Sequence, residues 1–238
     1  MRQPYQALTG IGLLAACLLV FETTSLDLQV QDLLYDAGEQ TWRVDRNAAL
    51  PRFLFYDGPK VVLAGWLLCL ALSLWRPGLC PTFCPPDRRR SLYVLACMAL
   101  IPATVARLKD TTNVFYPYKI QRYGGRLPYR KLIHSLRRRP GEPRSRGFPA
   151  GHASGGFAML CLAYVARTRR GRRQAVLLGL LAGWVPGFYQ MAKGAHYLSH
   201  TVVTLLLAWI IAAALAHCFH LSLAPPGAAP ARPADGPA

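Results

Sequence analysis

The sequence predicts an all-α fold, a polytopic membrane helix bundle with about six transmembrane helices. Three observations carry that expectation. Of the 238 residues, 53% are hydrophobic and only 16% charged, a charge fraction low for a soluble domain. The apolar residues fall in long blocks rather than one-sided helical stripes, so the bilayer is the solvent they match. Loops dense in arginine separate the blocks and give a formal net charge of +17. In a soluble chain that charge would point to nucleic acid. Divided between the two sides of a membrane, it points to anionic lipid or phosphate instead, and nucleic acid is excluded as a partner.

The chain divides into an N-terminal anchor with an acidic outer segment (1–57), a membrane-embedded helical domain (58–221) and a Pro/Ala-rich tail (222–238). The first apolar run, 7–21, resembles a signal-peptide core behind Arg2. No small-residue cleavage site follows it, so it reads as an uncleaved anchor. Residues 22–57 hold seven of the eleven acidic side chains (Glu22, Asp27, Asp32, Asp36, Glu39, Asp45 and Asp57). Leu26, Leu28, Val30, Leu33 and Leu34 predict a short helix there, lying along the membrane surface. Further spans are expected at 59–75, 91–107, 152–167, 174–192 and 200–221. Pro102 and Pro186 fall inside two of them and are tolerated where neighbouring helices satisfy the freed carbonyls. Ala153, Ser154, Gly155 and Gly156 permit close helix contact at the start of the fourth span. The tail is too poor in large apolar residues to pack.

Orientation follows from the arginines. The loops 76–90 and 167–173 are short and arginine-rich, so they belong in the cytoplasm, together with both termini. The acidic segment 22–57, the basic loop 108–151 and the turn 193–199 then face outward. The basic outer loop breaks the positive-inside rule, which marks it as functional. Of the cysteines, five lie in apolar blocks, and Cys80 and Cys84 share the first cytoplasmic loop. No disulfide framework is expected.

The same orientation brings His152 and His196 to one side of the membrane. His152 stands at the mouth of a helix, with free backbone N–H groups beside Gly151 and many arginines before it, a place suited to a phosphate. His196 and His200, four residues apart, are expected on one helix face, with Lys193 one turn earlier. A histidine at the edge of a membrane helix is costly and by default functional. The plain alternative is a pair of interfacial histidines bonded to lipid headgroups. The outer loop adds Lys109, Lys119, Arg122, Arg144 and Arg146 among others, and an arginine fork matches phosphate oxygens.

These residues carry a resemblance. Phe148-Pro149-Ala150-Gly151-His152, followed by Gly194-Ala195-His196-Tyr197-Leu198-Ser199-His200, resembles the type 2 phosphatidic acid phosphatase family, which is related to the vanadium haloperoxidases. That family shows three motifs, KxxxxxxRP, PSGH and SRxxxxxHxxxD, and the likeness covers roughly residues 90–220. The second motif is nearly intact, with Ala150 in place of serine. In the first, Lys109 is followed by Tyr116-Pro117, so tyrosine replaces arginine; Lys131 with Arg139-Pro140 is a rival whose spacing is one residue too long. In the third, Gln190 stands for the arginine and His200 for the aspartate.

The resemblance implies phosphoryl transfer in two steps. His196 would attack phosphorus, and His152 would protonate the leaving oxygen and then activate water. His200 would orient His196. Lys109, Lys193, Arg144, Arg146 and the N–H groups near Gly151 would hold the phosphate oxygens. The scheme needs no metal or other cofactor. The implied protein is a lipid phosphatase of a bacterial inner membrane with its site facing the periplasm. Its partners would be membrane lipids and a lipid phosphate substrate: lipid A, undecaprenyl diphosphate, phosphatidylglycerophosphate or phosphatidate. Two other readings keep the fold: transfer of the phosphoryl group to another lipid, and lipid binding without catalysis.

Overall fold

In a computed structural model, which describes residues 3–76, 85 and 87–223, the chain is a helix bundle with one two-residue hairpin. The expected tail from residue 224 onward, and Cys80 and Cys84, lie outside the described residues. Helix α1 spans Gln3–Thr23 and α2 Leu26–Asp32. Strands β1 (Tyr35–Asp36) and β2 (Thr41–Trp42) pair antiparallel, with Tyr35 opposite Trp42. Helix α3 (Ala49–Arg52) runs through a wide π turn, Phe53–Asp57, into α4 (Gly58–Ser73). The π turn sits just ahead of Pro59, which has no N–H to give to the preceding turn, and the widened turn absorbs that misfit.

Helices α5 (Arg88–Thr111), α8 (Arg169–Ala192) and α9 (Leu198–Cys218) form the rest of the long framework. Asp87 caps α5 by accepting from Arg90 N–H at 2.9 Å, and Thr168 caps α8 by accepting from Gly171 N–H at 3.0 Å. Among the described residues, five helical stretches are long and apolar enough to cross a membrane: Tyr5–Thr23, Ala49–Ser73, Arg88–Thr111, Arg169–Ala192 and Leu198–Cys218.

The expected span at 152–167 is instead a broken rod. It consists of α6 (Gly151–Ala158), a 3₁₀ turn (Met159–Cys161) and α7 (Leu162–Val165). At about 1.5 Å per residue, this rod is roughly 22 Å long, short of a hydrocarbon core of about 30 Å. Its outer end lies level with the first turn of α9, where Ala150 N–H meets the His200 carbonyl.

The core lies where α5, α6 and α9 meet. Tyr93, Ile101 and Phe157 are fully buried there against Ala208 and Ala213, while Ala212 and Ala216 complete the α9 surface. Alanines 208, 212 and 216 recur every four residues, which lets the neighbouring helices close on α9. Tyr93 Oη donates to the Ala212 carbonyl at 3.0 Å, so its buried hydroxyl is satisfied. Glycines do the same work on α8. A Cβ at Gly183 would lie 2.1 Å from Phe157 Cδ1, and one at Gly156 only 2.0 Å from the Ala182 carbonyl oxygen.

The segment before α4 differs from its sequence expectation in one respect. The short helix α2 turns its polar side inward: Asp27 and Gln31 are buried, while Leu33 just beyond it is 75% exposed. Gln31 Nε2 donates to the Met191 carbonyl at 2.8 Å, which is what draws that face onto the bundle.

The α6–α8 contact generates the first prediction. In Gly156→Val the new side chain meets backbone that cannot move aside, and stability should fall by about 3 kcal/mol or more. Gly65→Ala, on α4 with nothing within 4 Å, should be neutral or stabilising by up to about 1 kcal/mol. Thermal unfolding in detergent checks both.

Candidate active site

Four separate pieces of chain supply the site. The α5 end brings Lys109, the start of α6 brings Gly151 and His152, the turn after α8 brings Lys193 and His196, and the first turn of α9 brings His200. His196 is not on the helix face that its spacing predicts. Tyr197 is the extended N-cap (φ −85, ψ 168) and α9 begins at Leu198, so His196 precedes the helix. Nor is Lys193 one helical turn from it. Lys193 terminates α8, and Gly194, at φ +71, reverses the chain. That conformation favours glycine, and a Cβ there would also lie 2.4 Å from the Trp42 ring.

The three imidazoles form a chain. His152 Nδ1 lies 3.2 Å from His196 Nε2, and His196 Nδ1 lies 3.1 Å from His200 Nδ1. His196 is 0% exposed and His200 1%. The Gly147 backbone faces these rings, since a Cβ there would lie 3.5 Å from His200 Cε1. Burial holds His196 well below the ordinary histidine range, and His200, Lys109 and His152 push it the same way, so the ring is neutral. Between two neutral Nδ1 atoms one must donate. If His196 donates, its Nε2 keeps a lone pair aimed at His152, which is the tautomer a nucleophile needs.

Backbone bonds hold these rings in register. Ala150 N–H donates to the His200 carbonyl at 3.1 Å, and Thr204 Oγ1 bridges the His200 and Ala150 carbonyls at 2.8 and 3.2 Å. The outer loop is tied back by Gly147 N–H to the Val114 carbonyl at 3.2 Å and by Ser145 Oγ to the same carbonyl at 2.8 Å. A Cβ at Gly147 would meet that carbonyl oxygen at 2.5 Å. Ala150, in the place of the motif serine, has no side-chain bond to offer and is wholly buried.

The phosphate-binding candidates separate into two groups. Lys109 Nζ donates to the Pro149 carbonyl at 3.2 Å and lies beside Gly151, where a Cβ would sit 3.6 Å from it. Lys193 Nζ lies 4.5 Å above the Tyr189 ring. Burial lowers its proton affinity, and Arg52 and Arg46 nearby lower it further. Arg144 and Arg146, by contrast, both pair with Asp110 at 3.0 Å. They are already partnered, because Asp110 follows Lys109 directly on α5 and the loop folds back over it. Tyr116, in the place of the motif arginine, sets its ring 6.1 Å from that of His196 and donates to the Arg146 carbonyl at 3.1 Å. Gln190 is buried, and its carbonyl accepts from Ala195 N–H at 2.8 Å, closing the turn toward His196.

Three residues beyond the sequence candidates take part. Tyr56, presented by the π turn, sits 4.8 Å ring to ring from His152, and Lys60 Nζ lies 3.4 Å from the Tyr56 ring centroid. Asp27 accepts from Ser199 N–H at 2.8 Å and from Ser199 Oγ at 2.5 Å. It thereby caps α9 from another helix and fixes the residue next to His200. Only the acidic character of 22–57 hinted at Asp27; its pairing with Ser199 crosses 172 positions.

A family model of the PAP2 superfamily matches residues 90–223, more than half of the chain. No curated protein and no solved structure matches the chain.

Burial pushes the Asp27 carboxyl up to about 6, against the opposing pull of the Ser199 bonds and Lys131. A folded pKa above the unfolded one means that folding holds the proton. Its contribution is full below about pH 4 and is lost as pH rises toward 6. Asp27→Asn removes this titration. Its stability relative to the natural chain should therefore rise between about pH 4 and 6, by at most about 3 kcal/mol, as read from chemical denaturation at several pH values.

Proposed function

The chain belongs to the PAP2 superfamily, whose members are generally phosphatases, and from that premise we propose that it hydrolyses a lipid phosphate at the outer face of a bacterial inner membrane by way of a phosphohistidine. The observation that carries this reading is the continuous contact His152–His196–His200, at 3.2 and 3.1 Å, with Lys109 beside it. An in-line displacement needs a nucleophile and a proton donor on opposite sides of one phosphorus, and little else besides charge stabilisation.

In the first step His196 Nε2 bonds to phosphorus while the bond from phosphorus to the lipid oxygen breaks. His152 gives that oxygen a proton. A neutral imidazole is too weak an acid for this, so the proton arrives with the substrate: a phosphate dianion between the rings favours the charged imidazolium. In the second step His152, now neutral, takes a proton from water, and the hydroxyl oxygen displaces His196 to release inorganic phosphate. Lys109, Lys193 and the N–H groups at the start of α6 hold the equatorial oxygens.

The 3.2 Å gap between His152 and His196 is narrower than a phosphoryl group. Entry of substrate therefore requires the His152 side chain to swing away from His196. His200 orients the His196 ring but offers no negative charge to the positive imidazole that forms on attack, which lowers turnover relative to a carboxylate. A histidine at position 200 in place of a carboxylate favours the second reading, in which the site binds lipid phosphate without turning it over.

Phosphate release from a panel of lipid phosphates decides between them. Release by the natural chain should fall by about 10³-fold or more in His196→Ala and His152→Ala, and His200→Asp should raise turnover. Because His196 stays neutral to low pH, the acid limb of kcat/KM should lie below the ordinary histidine pKa of about 6.5. No release from any lipid, with equal lipid binding by all variants, would leave the binding reading.

A further inference from the structure

Around the mouth of the site, cations rest on aromatic faces instead of on carboxylates. Arg46 Cζ lies 4.0 Å above the Tyr118 ring, Lys60 Nζ 3.4 Å above Tyr56, and Lys193 Nζ 4.5 Å above Tyr189. Lys119 Nζ lies 5.5 Å from the Tyr116 centroid and 5.8 Å from that of Tyr118. The rings under these cations join the catalytic candidates: Tyr56 contacts His152, Tyr116 contacts His196, and Tyr118 stacks on Tyr116 at 5.5 Å and 13°. The backbone closes the ring of residues, since Tyr118 N–H donates to the Gly194 carbonyl and Val44 N–H to the Ala192 carbonyl.

Several basic side chains of the outer loop are instead ion-paired. Arg122 pairs with Asp32 at 2.7 Å and Arg130 with Glu142 at 2.6 Å, while Asp110 takes Arg144 and Arg146. Among the described residues, Arg46, Lys60, Lys119 and Lys193 form no ion pair. Asp57, the acid near Lys193, is held by Arg52 at 3.0 Å. A cation on a ring face is held in place and partly stripped of water, yet its outward N–H groups stay available. Gathering several such cations without counter-charge costs stability by mutual repulsion, and an anion would relieve it.

One phosphate monoester is already matched by Lys109 and the start of α6, with Lys193 facing it from the turn. Arg46, Lys60 and Lys119 exceed that need. We propose that Arg46, Lys60 and Lys119 build a second anion subsite, continuous through Lys193 with the histidine site, that takes a further phosphoryl group of the same lipid headgroup. The proposal rests on the lipid-phosphate reading above and narrows it to headgroups with two phosphoryl groups, whether joined as a diphosphate or carried apart on a sugar. Arg46 and Lys60 lie outside the 90–223 family match, so the subsite is contributed in part by the N-terminal segment.

The test separates this subsite from turnover. Binding of farnesyl phosphate, farnesyl diphosphate and a doubly phosphorylated glucosamine disaccharide lipid is measured on full-length His196→Ala in detergent micelles. A two-phosphate lipid should bind about tenfold more tightly than farnesyl phosphate, and Arg46→Gln, Lys60→Gln or Lys119→Gln should each cut that preference about threefold or more. Arg46→Lys and Lys60→Arg should retain most of it, which guards against a mere folding defect. Whichever two-phosphate lipid binds more tightly identifies the source. Equal binding of one- and two-phosphate lipids, or a preference untouched by these substitutions, overturns the proposal. If the natural chain releases no phosphate while the preference and its loss are observed, the phosphatase reading falls and the subsite stands. Release with no preference has the opposite meaning.

Discussion

Where α6 begins, Ala150 N–H donates to the His200 carbonyl, and Thr204 Oγ1 bridges the carbonyls of both residues. These three bonds fix the start of α6 against the first turn of α9, and much of the site follows from that. With α6 pinned there, His152 reaches His196. The outer loop must then pass directly over the junction, and its return through Val114, Ser145 and Gly147 places the Gly147 backbone against the buried His200 ring. The shortness of the α6–α7 rod belongs to the same constraint. A rod that does not cross the bilayer can be set at the depth its outer end requires, while the longer helices around it bear the membrane crossing.

Burial governs the electrostatics. His196, which has no carboxylate partner among the described residues, stays neutral because charging it in this buried place is costly. The acidic side chains, seven of eleven of which lie in the segment 22–57, go instead to structural ends. Asp27 caps α9, Asp32 holds Arg122, and Asp36 and Asp45 accept from backbone N–H groups in their own turns. The acidic segment thus wraps the basic loop and consumes part of its charge. At the mouth, Arg46, Lys60, Lys119 and Lys193 stay without a carboxylate partner and rest on tyrosine faces, where an anion would arrive.

Much was legible in the sequence. Apolar blocks located the long helices, because a chain in lipid must satisfy its backbone within each segment and carry an apolar surface around it. The spacing of Gly151-His152 and His196-Tyr197-Leu198-Ser199-His200 singled out the histidines that the fold brings together, since these motifs are local. Details that depend on a second segment were not legible. The helical phase assigned to His196 and His200 was displaced by an extended Tyr197, although the rings still meet. Arg144 and Arg146 were read as free because nothing in their neighbourhood of sequence shows that Asp110 lies across from them.

The sequence by itself therefore determined the apolar blocks of a helical membrane bundle and the histidine candidates, because hydropathy and motif spacing are properties of neighbouring residues. Only the tertiary structure decided which charges are free. Whether an arginine is spent on Asp110, or a lysine is held over a tyrosine with its N–H groups available, depends on distances between segments far apart in the chain. Those distances are set by the meeting of α6 and α9 and by the glycine and alanine surfaces through which the helices close on one another.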